Sequence, residues 1–146
     1  MSSVAVIAGS VYGSAQFVAE ELADAINGAG HEATLLDNPS ADDLTNYDVI
    51  VASCSTTGVG DVPDNIESLY NDLVAKSVDL SGKKCLVVAL GDSSYVDSFC
   101  MGGQKLNGAL QECGAAALAA PMLIDTTETM APEEDAMPWV LEKLGA

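Results

Sequence analysis

Three stretches of the chain combine small residues, hydroxyls and glycines at the ends of apolar runs. They are GSVYGSA at residues 9–15, SCSTTGVGDVPDN at residues 53–65 and GDSSYVDSFCMGG at residues 91–103. The first has the makings of an anion site. Gly13 permits a tight turn, Ser10 and Ser14 offer hydroxyl donors, and the amides opening the following helix point the same way. It lacks the lysine of GxxxxGK[ST], so it is no nucleoside-triphosphate loop, and Gly9 and Gly13 are spaced wrongly for GxGxxG. Taken alone, it is equally a tight strand-to-helix turn.

The net charge makes an anion site look paradoxical. The formal charge is −17, from 22 Asp and Glu against five Lys and no Arg. Yet a carboxylate about 15 Å away repels a unit negative charge by only about 0.3 kcal/mol in water. Screening over about 8 Å reduces that further. One hydrogen bond to a charged group contributes about 1.5–3 kcal/mol. Local amide geometry therefore outweighs diffuse repulsion, and arginine is not required. The same acidity disfavours nucleic acid and anionic membranes as partners and suits a basic protein.

Other chemistries are poorly supported. The four cysteines, at 54, 85, 100 and 113, include no CxxC pair, and His31 is the sole histidine. A zinc site is not expected. The cysteines read as reduced, buried apolar residues of a cytoplasmic protein. His31 reads as a solvated histidine and Trp139 as core packing. No apolar run reaches the length of about 18 residues that a membrane span needs. The N-terminus reads as a strand rather than a secretory signal.

The elements that must position the three loops follow from periodicity. Continuous apolar runs at 4–8, 48–53 and 85–90 predict strands buried on both faces, and 32–36 a shorter strand. Residues 37–46 form a polar loop with one helical turn. Helical spacing over 13–29 puts Phe17, Val18, Leu22, Ala25 and Ile26 on one face. Further helices are expected at 64–76, with Asp64 as cap, at 104–113 and at 133–144, where Glu133, Glu134 and Asp135 suit the helix dipole. A fifth, alanine-rich strand is expected at 115–122, interrupted by Pro121. Residues 1–146 thus read as one domain. The fold class is α/β, a three-layer doubly wound domain with a five-stranded parallel sheet. In such sheets ligands bind beyond the carboxyl ends of the strands, where all three loops lie.

In order, spacing and content the three loops resemble those of the flavodoxin family, and the resemblance covers essentially the whole chain. With no long insertion in the fifth strand it is similar to the short-chain flavodoxins. That resemblance implies strand order 2-1-3-4-5 and flavin mononucleotide (FMN) as cofactor. It implies that Ser10, Val11, Tyr12, Gly13, Ser14 and Ala15 cradle the phosphate. Ser55, Thr56, Thr57, Gly58, Gly60 and Asp61 would flank one face of the flavin ring. Many members carry tryptophan where this chain has Thr57, which implies a more open face. Gly58 would supply the peptide flip that offers a carbonyl to flavin N5–H on one-electron reduction. In the third loop, which opens at Gly91, the backbone at Asp92 and Cys100 would meet the pyrimidine edge, Phe99 and Cys100 match a Phe-Cys pair of the family one residue further from the tyrosine, and Tyr95 would stack on the ring.

The implied function is that of a one-electron carrier, without substrate chemistry of its own. It would shuttle electrons as a cytoplasmic monomer between an NADPH-dependent flavodoxin reductase and an acceptor protein, both basic. The alternatives are a partner-binding module with structural or weakly bound FMN, and an FMN-dependent quinone or nitro reductase. A phosphoacceptor receiver would need an acidic pair after the first strand and an Asp ending the third, where Gly9-Ser10 and Ser53-Cys54 stand instead.

Overall fold

The computed structural model describes residues 3–10, 13–37, 39–56, 60–94, 99–129 and 131–145. Strands β1 (Ser3–Gly9), β2 (Glu32–Leu35), β3 (Val49–Cys54), β4 (Lys84–Gly91), β5 (Ala116–Ala117) and β6 (Met122–Asp125) alternate with helices α1 (Ser14–Gly28), α2 (Glu67–Val74), α3 (Met101–Glu112) and α4 (Pro132–Leu144). Two 3-10 turns, Asp42–Asn46 and Asp64–Ile66, complete the described elements.

The sheet is parallel, in the order β2-β1-β3-β4-β5, with β6 also paired to β4. This is the expected strand order. The fifth position is split, however. The expected 115–122 strand holds only Ala116–Ala117, and pairing resumes at Met122 and runs to Asp125. Three steps along β4, from Cys85 to Val88, face five along the edge strand, from Ala117 to Met122, so two extra residues loop out between the pieces, and Pro121 lies in that break.

Alternation along the strands builds two cores. Ala5, Ile7, Ile50, Ala52, Cys54, Cys85 and Val87 face Leu69 and Leu73 of α2 and Leu106 and Leu110 of α3. Val4, Val6, Val49, Val51, Leu86, Val88 and Leu90 face Val18, Leu22 and Ile26 of α1 and Val140 of α4. With both faces covered, period-two polarity is lost, and these strands read as unbroken apolar runs.

Several local expectations are corrected. Phe17 is 49% exposed, and the buried stripe of α1 is Ala15, Val18, Ala19, Leu22, Ala23 and Ile26. The 64–76 helix is a 3-10 turn followed by α2. Asp64 is the first residue of that turn rather than a cap, since Pro63 holds the cap position without a side-chain bond. Helix α3 begins at Met101, three residues before the expected 104, because its first turn packs on the strand ends through two glycines. Trp139 packs, half-buried, against the α1–α4 core. All four cysteines are buried and unpaired. No helix among the described residues is long and apolar enough to cross a membrane.

Candidate cofactor site

The first loop leaves β1 at Gly9 and enters α1 through Gly13, whose φ of 93° lies in the left-handed region. Ser10 Oγ accepts the Gly13 N–H at 2.8 Å, which tightens the turn and leaves the hydroxyl proton to donate elsewhere. Among the described residues, no side chain caps α1 and no acid lies in its first turn. The contrast with α4 is direct, since that helix opens on Pro132 followed by Glu133, Glu134 and Asp135. A 15-residue helix whose N-terminal amides meet no side-chain cap among the described residues, beside the exposed Ser14, suits an external anion. Ala15 is fully buried in the core, so only its backbone can serve such a ligand.

Asn65 steadies this loop. Its Oδ1 accepts the Ser10 N–H at 2.9 Å and its Nδ2 donates to the Ala8 carbonyl at 2.8 Å. Sequence reading missed it, because its partners lie 55 and 57 residues away. An amide in a short turn carries no mark of such a partner.

The second loop is held to both neighbours. The Ser55 N–H donates to the Gly9 carbonyl at 2.8 Å. Thr56 Oγ1 accepts the Gly102 N–H at 2.9 Å and donates to the Leu90 carbonyl at 3.3 Å. Its hydroxyl is thus spent on the protein, joining the second loop to β4 and to the first turn of α3. The contact is tight, for a Cβ on Gly102 would stand 2.5 Å from the Ser55 carbonyl oxygen. On Gly103 it would stand 2.4 Å from the Ala89 Cβ. Gly60, with φ 108°, passes beside Met101, and Lys105 Nζ lies 3.6 Å from Asp61 Oδ1.

The third loop hangs from β4 and β6. The Gly91 carbonyl accepts both the N–H of Thr126 at 2.8 Å and its hydroxyl at 3.1 Å. Asp92 Oδ1 accepts the Ser94 N–H at 2.8 Å. Asp125 Oδ1 accepts the Ser93 N–H at 3.3 Å, the Thr127 N–H at 3.0 Å and the Thr127 hydroxyl at 2.7 Å. The hydroxyls of Ser93 and Thr127, joined by their amides, pull the Asp125 carboxyl down to about 2. Cys100 caps α3 with φ 57°, and its thiol donates to the Ala89 and Ile124 carbonyls at 3.3 and 3.7 Å. Burial raises that thiol to about 11, so Cys100 also offers a ligand only its backbone. Its N–H abuts Gly91, where a Cβ would stand 2.6 Å away.

Ser10, Gly13, Ser14, Ser55, Thr56, Gly60, Asp61, Gly91, Asp92, Phe99 and Cys100 therefore lie in three loops at the carboxyl edge of β1, β3 and β4. Val11, Tyr12, Thr57, Gly58 and Tyr95 lie outside the described residues. No group of three or more His, Cys, Asp or Glu among the described residues could hold a metal ion.

A family model described as Flavodoxin matches residues 6–139. Flavodoxin YqcA of Escherichia coli is 36% identical over 142 residues, covering 96% of this chain and 95% of that protein. A cysteine-to-alanine mutant of a flavodoxin from Pseudomonas aeruginosa superposes with a TM-score of 0.89 at 37% identity, over 96% of this chain and 95% of the other. Oxidised Flavodoxin 1 from Bacillus cereus does so at 0.86 with 28% identity, over 98% and 97%. The strand order, the three clamped loops and a match spanning nearly the whole length agree: this chain belongs to the flavodoxin family.

Proposed function

We propose that this protein is a cytoplasmic, monomeric one-electron carrier that takes electrons from a basic NADPH-dependent reductase and delivers them to a basic acceptor protein. The observation that carries the reading is the uncapped N-terminus of α1, with Ser10 and Ser14 beside it, at the edge where the other two loops converge. FMN is the cofactor of the family, and the residues present fit it. Its phosphate suits the α1 amides, which no described side chain caps, and the two serine hydroxyls. Backbone groups around Asp92 and Cys100 suit the pyrimidine edge, and Tyr95 and Thr57 are assigned to the two ring faces.

When bound, FMN supplies the redox chemistry, and the chain supplies binding and tuning. The phosphate loop anchors through Asn65. Thr56 fastens the second loop to β4 and to the first turn of α3, which supports a firmly held place for the ring. With a surface charge of −17, added negative charge at the site is disfavoured, which separates the first electron from the second in potential. The same charge steers a basic partner. The assigned residues include no paired acid and base and no activated nucleophile, which supports a carrier without substrate chemistry of its own.

Anaerobic reductive titration of the purified protein with added FMN tests this reading. Tight binding and two resolved one-electron steps are expected. Turnover of a quinone with NADPH and no partner protein would assign a reductase instead. Failure to bind FMN would leave a flavodoxin-like binding module.

A further inference from the structure

The carboxyl end of the sheet carries a second feature, remote from the α1 phosphate loop. Strand β6 pairs with β4 on one side, and among the described residues no strand lies on its other side. The register sets Ile124 opposite Leu90, and the Thr126 N–H reaches the Gly91 carbonyl. Backbone groups in a strand alternate in direction, so the N–H and C=O of Leu123 face the open edge. Its side chain is 47% exposed, one of three large apolar side chains so placed among the described residues. Beside this edge runs an open groove of about 450 Å³, walled by β6, the turn after it and α4. Leu123 and Pro138 give it apolar wall, and Asp125, Glu128, Glu134 and Asp135 give it four carboxylates. The ion pairs Lys105–Asp61 and Lys143–Glu142 lie outside the groove lining. Pro138 has no N–H, so the carbonyl of Glu134 loses its helical donor on this wall.

We propose that this edge is a docking surface for an extended, lysine- or arginine-bearing segment of a partner protein. The segment adds to β6 as a further strand and lays its cationic side chains along the groove. Main-chain pairing with Leu123 supplies affinity, and the carboxylates select the charge. A second copy of this chain is disfavoured by the same charges, since each copy carries −17. Nucleic acid and anionic lipid are disfavoured for the same reason. The inference does not depend on flavin chemistry.

The probe is a capped hexapeptide of alternating lysine and valine, titrated into the full chain with amide shifts followed by NMR. Saturable shifts centred on the Leu123 amide are expected, with affinity falling roughly tenfold over a decade of added salt. The double variant Glu134→Lys/Asp135→Lys weakens binding by about tenfold or more, whereas the control Glu20→Lys/Asp24→Lys on α1, of equal charge change, stays within about twofold. The same peptide N-methylated at alternate residues keeps its charge, loses its ladder donors and binds about tenfold more weakly. Equal weakening by the two double variants would overturn the proposal in favour of diffuse attraction. So would equal binding of the methylated peptide, or shifts that bypass Leu123. A dimer in sedimentation that Leu123→Lys dissociates would also overturn it, assigning the edge to a second copy.

Discussion

Thr56→Val is the sharpest test of how the site is held. Valine keeps the shape and removes the hydroxyl that accepts from the Gly102 N–H and donates to the Leu90 carbonyl. Gly102 is the second residue of α3, so its N–H has no intrahelical acceptor and depends on Thr56. Each hydrogen bond contributes about 0.5–1.5 kcal/mol, and a buried group left unpaired costs about 1–3 kcal/mol. The pair is only partly buried, so water relieves some of that, and a net loss of about 2 kcal/mol follows. At roughly 2–4 °C per kcal/mol for a chain of this size, the melting temperature of the flavin-free protein falls by about 4–8 °C. Thr56→Ser keeps the hydroxyl and stays within about 1 kcal/mol. Hydrogen exchange locates the effect, with the Gly102 amide exchanging about tenfold or more faster in the valine variant. Equal melting temperatures for the valine and serine variants, or an unchanged Gly102 amide, would refute the clamp.

Two glycines of α3 respond oppositely to alanine. Gly103→Ala drives a Cβ to 2.4 Å from that of Ala89 and destabilises by about 1–3 kcal/mol in urea unfolding, whereas Gly108→Ala meets nothing within 4 Å and stabilises by about 0.5–1 kcal/mol. The lowered Asp125 carboxyl stabilises the fold above its ordinary value of 3.8, and this contribution is lost as pH falls toward about 2. Asp125→Asn is therefore less stable at neutral pH, and its urea midpoint falls less than that of the parent between about pH 4 and about pH 2. Burial raises the Cys54 thiol to about 12 and those of Cys85 and Cys100 to about 11, so iodoacetamide at about pH 8 labels them only after urea is added.

Much of the architecture was legible because it follows from local patterns. Burial on both faces turns β1, β3 and β4 into continuous apolar runs, and helical spacing marks α1 within a residue or two at each end. Reading faltered where neighbours far along the chain decide. Phe17 fits the apolar spacing of α1, yet the sheet receives Ala15, Val18 and Leu22, and Phe17 is left half-exposed. Met101, Gly102 and Gly103 look like loop, because two glycines weaken a helix signal. They are helical because α3 must press its first turn against Ser55 and Ala89.

The same division runs through the site. Which loops gather, and at which edge of the sheet, was settled by the order of strands and helices along the chain, since a parallel doubly wound sheet brings those loops together. The small residues and hydroxyls of residues 9–15 pointed to the proposed anion site for a related reason, as the residues concerned lie within one turn of chain. The roles of Asn65, Thr56 and Asp125 emerged only in three dimensions, with partners 32 to 57 residues distant. Periodicity records which way a side chain faces. A hydroxyl's choice between a ligand and a distant carbonyl is decided by packing, because only packing brings that carbonyl within reach.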